Sequence, residues 1–256
     1  MLDFYRFHHF KKHPSLLHAV STKSNALPYS FSLALHTGEN KADIVKNRKT
    51  LAKVFQSDTT LHFIVANQTH SDHITLITDN STKGWEDIQD AIEDCDALIT
   101  NQPQVILTIL TADCVPVLLF DPVQNVVAAV HAGWKGTKEQ IVRKTVEKMG
   151  LSFGCQPKDI LAGIAPSIGS CCYEVGKDVA QHFFDYPKSM TKNVDKYMLD
   201  LPYINKEQLR QAGVSESHIE MSNTCTACEV SRFFSYRKEE GCSGRFMSMI
   251  GLRSID

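Results

Sequence analysis

Residues 108–137 read TILTADCVPVLLFDPVQNVVAAVHAGWKGT and contain the pattern that decides the fold. Two short runs rich in valine and leucine, residues 115–120 and 126–130, flank the turn-forming sequence DPVQN. This arrangement predicts a β-hairpin. A cysteine precedes the first strand and a histidine follows the second, so the hairpin would bring both side chains to the same end.

The register of the hairpin determines how close these two side chains come. If residues 121–124 form a four-residue loop, the two residue numbers of every facing pair add up to 245. Cys114 and His131 satisfy that sum, so we expect their β-carbons about 5 Å apart. A loop of another length would still leave them close together. A thiolate and an imidazole at this separation can share a metal ion or a proton.

The sequence after His131 predicts a tight turn and then a helix. Two glycines follow the histidine, and Thr137 and Gln140 have the spacing of a capping box. The helix is predicted over residues 138–149, with Gly150 closing it. Amide groups at a helix N-terminus attract anions, so phosphate is a suitable ligand for this turn.

Two chemistries remain open for the cysteine and histidine pair. His70, in a polar loop between two apolar strands, could add a third ligand, which would leave one zinc coordination position for water. Alternatively Cys114 is a nucleophile activated by His131, with Asp113 or a carbonyl group orienting the imidazole. His73 lies three residues after His70, and strand alternation would turn it to the opposite face.

The composition is that of an ordinary globular protein. The chain has 256 residues, 43% hydrophobic and 22% charged, with a net charge of −2. Such a balance argues against a nucleic acid or an acidic membrane as a partner. The sequence has neither a transmembrane stretch nor a signal-peptide core, so we expect a cytoplasmic protein whose eight cysteines are thiols or metal ligands.

Short strands outnumber helices in the rest of the sequence. Strands are predicted over residues 16–21, 30–35, 61–66, 74–77, 94–100, 105–110, 160–165, 233–236 and 246–250. Helices are predicted over residues 43–55, 177–184 and 204–212, and polar connectors over 79–93 and 188–196. This pattern favours the α+β class, with mixed β-sheets flanked by helices. No change in composition divides the chain, so we expect a single domain over residues 1–256.

The other cysteines give weaker signals. Cys225 and Cys228 form a CxxC pair that could hold zinc or iron together with Cys242, although a fourth ligand at customary spacing is missing. A structural thiol pair is the preferred interpretation. Cys171 and Cys172 are interpreted as turn and core residues.

Six motifs occur in the order of a known family. They are NQTHS at 67–71, DALIT at 96–100, TADCVP at 111–116, VHAGWKG at 130–136, GIAPSIGSCCYEVG at 163–176, and FFSYR at 233–237 with Gly244-Arg245. Together they resemble the YfiH-like family, whose members are described as multicopper polyphenol oxidases (laccases) or as purine nucleoside phosphorylases. The sequence departs from the usual pattern at Ala165, Cys228 and Cys242.

The resemblance implies a single domain of mixed sheets, similar to the toxin-type cysteine hydrolase fold. It also implies that His70, Cys114 and His131 bind zinc. The implied reactions are phosphorolysis of adenosine, inosine and 5′-methylthioadenosine, and deamination of adenosine. For deamination, Asp113 could serve as the acid or base beside an activated water.

The implied substrates are a purine nucleoside and phosphate. Arg48 and Lys135 are candidate anion contacts, and the family motifs add Gln68 and Tyr173 as substrate residues. Three alternatives remain: a cysteine or zinc hydrolase with another substrate such as a peptidoglycan precursor, a copper-dependent polyphenol oxidase, and a zinc-stabilised binding protein. Copper could bind one cysteine and two histidines, but a multicopper oxidase needs many more histidines at fixed spacings.

Overall fold

A computed structural model describes residues 2–55, 60–241 and 244–254. The strands are β1 Phe4–Tyr5, β2 Leu16–Ser21, β3 His62–Val65, β4 Ile74–Leu76, β5 Ala97–Thr100, β6 Val105–Thr111, β7 Val115–Asp121, β8 Val126–Ala132, β9 Leu161–Ile164, β10 Glu174–Val175, β11 Met190–Asn193, β12 Lys196–Leu199, β13 Ile219–Met221 and β14 Phe246–Leu252. The α-helices are α1 His8–Lys11, α2 Lys41–Ala52, α3 Trp134–Lys138, α4 Ile141–Phe153, α5 Lys177–Ala180 and α6 Leu201–Gln211. Within the described ranges, no helix is both long and apolar enough to cross a membrane.

Two large sheets carry the fold. One has the strand order β1-β2-β14-β6-β3, and the other has the order β13-β9-β7-β8-β5-β4. Most neighbouring strands are antiparallel, but β3 is parallel to β6, β4 to β5, and β13 to β9. A small sheet of β10, β12 and β11 completes the set. Mixed sheets with flanking helices in a single domain confirm the predicted fold class.

The two large sheets pack face to face, and helices cover their outer faces. Alternate residues of β7 show this: Leu118 and Phe120 join the core between the sheets, whereas Val117 and Leu119 face α4 and α6. The outer face of the five-stranded sheet packs against α2. Every residue of β7 is therefore buried, which explains why its sequence is a continuous apolar run rather than an alternating one.

The β7–β8 hairpin forms as predicted, but its register differs. Asp121 pairs with Val126 and Pro116 with His131, so facing residue numbers add up to 247 rather than 245. The four-residue loop is 122–125, one residue later than predicted. Its start is set by the Asp121 carboxylate, which accepts hydrogen bonds from the amides of Val123 and Gln124. Because the register differs from the prediction by two residues, each side chain remains on the predicted face of the sheet.

Several predicted elements differ from the structure. Residues 30–35 and 233–236 form no strand; the first segment includes a 3₁₀ helix, Pro28–Phe31. The helix predicted over residues 138–149 is divided in two, since Gln140 adopts a left-handed conformation between α3 and α4, and Thr137 lies inside α3 rather than capping it. The helix then runs past Gly150 to a left-handed Gly154.

The two polar connectors also contain structure. Residues 79–93 include a short 3₁₀ helix and place Trp85 in the core, where its ring stacks on Phe63 with centroids 4.1 Å apart. Residues 188–196 supply most of the β11–β12 hairpin. Both segments are polar in sequence because most of their residues are exposed or half-buried, and a single buried tryptophan does not create a periodic pattern.

Candidate metal centre

The candidate metal centre lies where the chain crosses from one large sheet to the other. Residues 112–114 connect β6, in the five-stranded sheet, to β7, in the six-stranded sheet. The segment between β3 and β4 makes the same crossing and carries His70. Both crossings are sharp, since Asp113 has φ 89° and His70 has φ 62°. The loop position predicted for His70 is therefore confirmed, and the strand alternation considered for His70 and His73 does not apply.

Three side chains converge at this point. The Nε2 atom of His70 lies 3.8 Å from the Sγ atom of Cys114, and the rings of His70 and His131 meet edge to face with centroids 4.7 Å apart. The ligand atoms of these three residues lie within 4.8 Å of one another. We call this set the metal triad. Two imidazoles and one thiolate are donors that zinc and copper both accept, so the donor set fits a metal ion.

Cys114 and His131 are close but do not face each other across the hairpin. The observed register places Pro116 opposite His131, so Cys114 is a diagonal neighbour of the histidine on the same face. On its other side His131 faces Asp96, the residue that immediately precedes β5. Ala97 pairs with Val130, and the His131 amide donates to the Asp96 carbonyl group at 2.7 Å.

Asp96 positions both histidines of the metal triad through hydrogen bonds. Its fully buried carboxylate accepts a hydrogen bond from Nδ1 of His131 at 2.6 Å, which leaves Nε2 of that imidazole for a ligand. It also accepts bonds from the backbone amides of His70 and Ser71, at 3.1 and 2.7 Å, and from the Ser71 hydroxyl at 2.7 Å. One carboxylate thus fixes both histidines.

The charges of these groups support one another. Burial alone would raise the pKa of Asp96, but hydrogen bonds from His131 and Ser71 hold that pKa well below its usual range. Burial likewise opposes ionisation of Cys114, yet the neighbouring imidazoles lower the pKa of its thiol. The thiolate and Asp96 in turn raise the pKa of His131 despite its burial. The metal triad therefore favours a thiolate, the form of cysteine that binds metals.

A cavity of about 600 Å³ opens in front of the metal triad, a volume that suits a small organic ligand. All three triad residues line it. Its aromatic and cationic lining residues outside the triad are His36, Trp134, Tyr173, Tyr236, Arg237 and Arg245.

Asp113 lines the same cavity, but its carboxylate is occupied. Its Oδ1 atom accepts a hydrogen bond from the hydroxyl of Thr226 at 2.6 Å, and its Oδ2 atom accepts one from the backbone amide of Arg237 at 2.7 Å. The imidazole of His131 is oriented by Asp96 instead. The predicted orienting role of Asp113 is therefore wrong. In the structure Asp113 anchors the segment that carries Arg237.

Two of the four predicted substrate residues line the cavity and two do not. Gln68 and Tyr173 line it, although both ends of the Gln68 amide are hydrogen-bonded to the backbone of Leu110. Lys135 is exposed, and Arg48 is fully buried behind the wall, where its guanidinium donates to the carbonyl groups of Leu33, Gly84 and Trp85. Neither Lys135 nor Arg48 belongs to the described lining of the cavity.

Sequence reasoning assigned no role to Asp96, His36, Trp134 or the two lining arginines. The polar DCD sequence that precedes β5 was a usable signal for Asp96, since a carboxylate at a strand end often supports a metal-binding histidine. His73 is outside the triad, where its imidazole pairs with Asp94 at 2.9 Å.

The cysteines outside the metal triad also differ from the prediction. Cys171 and Cys172 lie in a turn, as interpreted, but Cys171 is exposed and Cys172 half-buried, so their interpretation as core residues is wrong. Both lie beside Cys225 and Cys228. Cys242 lies outside the described residues.

Comparison with known proteins decides the family. The sequence model of the family described as "Multi-copper polyphenol oxidoreductase laccase" matches residues 18–253. The chain belongs to this family. It is the YfiH-like family that the six motifs indicated.

Named relatives of the YfiH-like family include a "Purine nucleoside phosphorylase YlmD" from Bacillus subtilis, 36% identical over 230 residues that cover 88% of this chain and 82% of the relative. Two solved structures are also similar. YlmD from Geobacillus stearothermophilus has a TM-score of 0.89 and 32% identity, covering 94% of this chain and 93% of that one. A hypothetical protein YfiH from Bacillus licheniformis has a TM-score of 0.87 and 36% identity, covering 93% of both chains.

Proposed function

We propose that the chain is a zinc-dependent purine nucleoside phosphorylase. The observation that carries the proposal is a single cavity whose lining combines the metal triad with cationic and aromatic side chains. The printed names of the most similar relatives support the same activity.

The cationic side of the cavity suits phosphate. Arg237 and Arg245 both line it, and His36 lies beside them. Among the described lining residues the one carboxylate is Asp113, whose oxygens are already bonded to Thr226 and to the Arg237 amide. The wall therefore attracts an anion, and guanidinium groups match the paired oxygens of phosphate.

The aromatic side of the cavity suits a purine. Trp134, Tyr173 and Tyr236 provide flat apolar surfaces on which a base can stack. Two of these rings are held by the lining arginines: the Arg237 guanidinium lies 5.4 Å from the Tyr173 ring centroid, and that of Arg245 lies 5.9 Å from the Tyr236 centroid. The same arginines can thus position both the base and the phosphate.

The proposed reaction is glycosidic transfer to phosphate. A phosphate oxygen forms a bond to C1′ of the ribose while the bond from C1′ to the purine nitrogen breaks, and the electron pair of that bond leaves with the base. The base then takes up a proton, and the products are a free purine and ribose 1-phosphate. The arginines hold the phosphate in line with C1′, which converts an encounter of two substrates into a reaction within one complex.

His70, Cys114 and His131 would hold the zinc, with Asp96 keeping the His131 ring in the binding orientation. When bound, zinc supplies Lewis-acid chemistry, which polarises oxygen atoms of a ligand. Adenosine, inosine and 5′-methylthioadenosine are the proposed substrates. Deamination of adenosine is a separate expectation and is tested by the same experiment.

The test is product analysis by mass spectrometry after incubation with adenosine or inosine, with and without phosphate. We expect adenine or hypoxanthine, together with ribose 1-phosphate, only when phosphate is present. Inosine formed from adenosine without phosphate would establish deamination. A His70→Ala chain purified in parallel controls for contaminating enzymes. The same products from both preparations, or no nucleoside product from the unmodified chain, would contradict the proposal.

A second experiment tests the anion wall. Arg237→Gln is expected to raise the KM for phosphate at least tenfold, because it removes a cationic contact of the cavity. Lys135→Gln is the matched control: Lys135 is an exposed cation that lies outside the described lining, and its loss should change this KM less than twofold. Equal effects of the two variants would show that the anion binds elsewhere.

A further inference from the structure

Four cysteines that the proposed reaction does not use form a second cluster. Cys171 and Cys172 follow β9, and Cys225 and Cys228 follow β13. The Sγ atom of Cys228 lies 3.5 Å from those of both Cys171 and Cys172. All four sulfur atoms lie within 4.8 Å of one another, although the two pairs are more than fifty residues apart in sequence. We call this set the tetracysteine cluster.

The spacing of the sulfurs matches a single metal ion. A zinc–sulfur bond of about 2.3 Å in a tetrahedral site places neighbouring sulfurs about 3.8 Å apart. Two of the sulfur–sulfur distances are 3.5 Å, and all of them lie within 4.8 Å. One ion at the centre could therefore reach all four sulfur atoms with small side-chain adjustments. Cys171 and Cys228 are exposed and the other two half-buried, so packing in the apolar core does not explain the cluster.

A backbone amide is directed at one of the sulfurs. The amide of Gly169 donates a hydrogen bond to Sγ of Cys225 at 3.3 Å. An N–H donor on a sulfur stabilises its thiolate form, which is the form that binds metals. Gly169 is also in close contact with the cluster, because a β-carbon there would lie 3.5 Å from Sγ of Cys171.

The cluster joins two segments that build the cavity wall. The amide of Thr226, between Cys225 and Cys228, donates to the carbonyl group of Ser167 at 3.1 Å, and its hydroxyl donates to Asp113. On the other segment, Ile168 lines the cavity, and its amide donates to the carbonyl group of Asp113. A bound ion would therefore fix both segments around the residue that precedes Cys114.

We propose that Cys171, Cys172, Cys225 and Cys228 bind a second zinc ion in a closed, structural tetrathiolate site. Four protein ligands leave no position for water or substrate, which distinguishes this site from the metal triad. Its contribution is to stability and to the shape of the cavity wall. The proposal is independent of the reaction assigned to the chain, because it requires only metal binding.

The test is the zinc content of the full chain, purified under reducing conditions and measured by mass spectrometry of the elements. We expect two zinc ions per chain, one in His70→Ala, one in the double variant Cys171→Ser/Cys228→Ser, and none in the triple combination. Cys155→Ala, which removes a buried cysteine outside both clusters, should keep two.

Cobalt substitution tests the ligands without changing the cluster. His70→Ala, stripped with a chelator and titrated with Co²⁺, should bind one ion with the intense thiolate-to-cobalt absorption of a tetrahedral site with four sulfurs. Absence of a cobalt–thiolate spectrum in that variant, or an unchanged zinc content in the double variant, would overturn the proposal. Iron in place of zinc in the purified chain would overturn the assignment of the metal.

Discussion

Asp96 shows how a single buried carboxylate can determine the geometry of a candidate metal site. It fixes the ring of His131 through Nδ1 and the turn of His70 through two backbone amides. Its negative charge is offset by several N–H donors and by the partial charge of the imidazole, which makes the burial of a carboxylate tolerable. Asp96 is not among the described lining residues of the cavity, so its role is one of support.

Replacement of Asp96 by asparagine should weaken zinc binding by about 10–100-fold, the usual effect of removing a supporting carboxylate from a metal-binding histidine. Competition with a chromophoric chelator measures the affinity. Asp94→Asn is the matched control, since Asp94 pairs with His73 outside the triad. An unchanged affinity in Asp96→Asn would show that packing alone orients His131.

His18 gives the molecule a sensitivity to acid. Its side chain in β2 is 2% exposed, and burial lowers the pKa of its imidazole to about 3. The unfolded chain binds this proton near pH 6.5, whereas the folded chain does not, so acid favours unfolding. Above pH 6.5 His18 is neutral in both states and does not reduce the free energy of unfolding. As the pH falls from 6.5 towards 3, protonation of His18 in the unfolded chain lowers that free energy.

Between pH 7 and pH 5 this one proton should lower the free energy of unfolding by about 2 kcal/mol. Urea unfolding at both pH values measures the change. In His18→Asn, which cannot be protonated, the loss should be smaller by that amount. His8→Asn, at an exposed histidine, should lose as much as the unmodified chain. Identical losses in all three proteins would assign the acid sensitivity to other groups.

At the scale of elements, the junction between β8 and α3 decides how the metal triad closes. Gly133 is the N-cap residue of α3, and a β-carbon there would lie 2.9 Å from Cδ2 of His70 and 3.1 Å from Sγ of Cys114. These distances are shorter than ordinary carbon contacts. Glycine is therefore required here because two ligands approach the backbone closely. Its φ of −70° is one that any residue can adopt, so backbone conformation does not require glycine.

Gly133→Ala should displace His70 or Cys114 and reduce both zinc content and activity at least tenfold while the fold is kept. Zinc content and circular dichroism check the two parts of this expectation. Gly150→Ala is the control. Gly150 lies inside α4, and a β-carbon there would contact the Cys155 carbonyl oxygen at 3.3 Å and neither ligand. Full zinc content in Gly133→Ala would mean that the ligands can move aside without loss.

At the scale of the whole molecule, the site depends on two sheets packed face to face. The chain crosses between them at residues 112–114 and again in the His70 segment, so the ligands meet only when both sheets are in place. The core between the sheets contains Phe120, which is 1% exposed. Stability of this layer and formation of the metal triad should therefore be coupled.

Phe120→Ala should lower the free energy of unfolding by about 3–5 kcal/mol, because it removes a large buried ring and leaves a cavity. Urea unfolding measures the loss. Val123→Ala, in the hairpin loop where the side chain is 62% exposed, should change stability by less than about 0.5 kcal/mol. A small effect of Phe120→Ala would indicate that the sheets can collapse around the missing ring.

Sequence patterns alone predicted the strands of the central hairpin and the fold class, and the resemblance of six motifs supplied the three candidate ligands. Local patterns suffice for the hairpin because continuous valine and leucine runs bounded by turn residues have few other structures available. The register was wrong by two because the Asp121 side chain, rather than the loop length alone, fixes where the turn begins.

Tertiary packing was needed to show which residues surround the ligands. Asp96 faces His131 through pairing of β5 with β8, and Arg237 and Arg245 line the cavity from a segment far along the chain. Arg48 is fully buried and lies outside the described lining. The four cysteines meet in the same way. Each juxtaposition joins segments far apart in sequence, and local periodicity has no information about which distant strands and loops will pair.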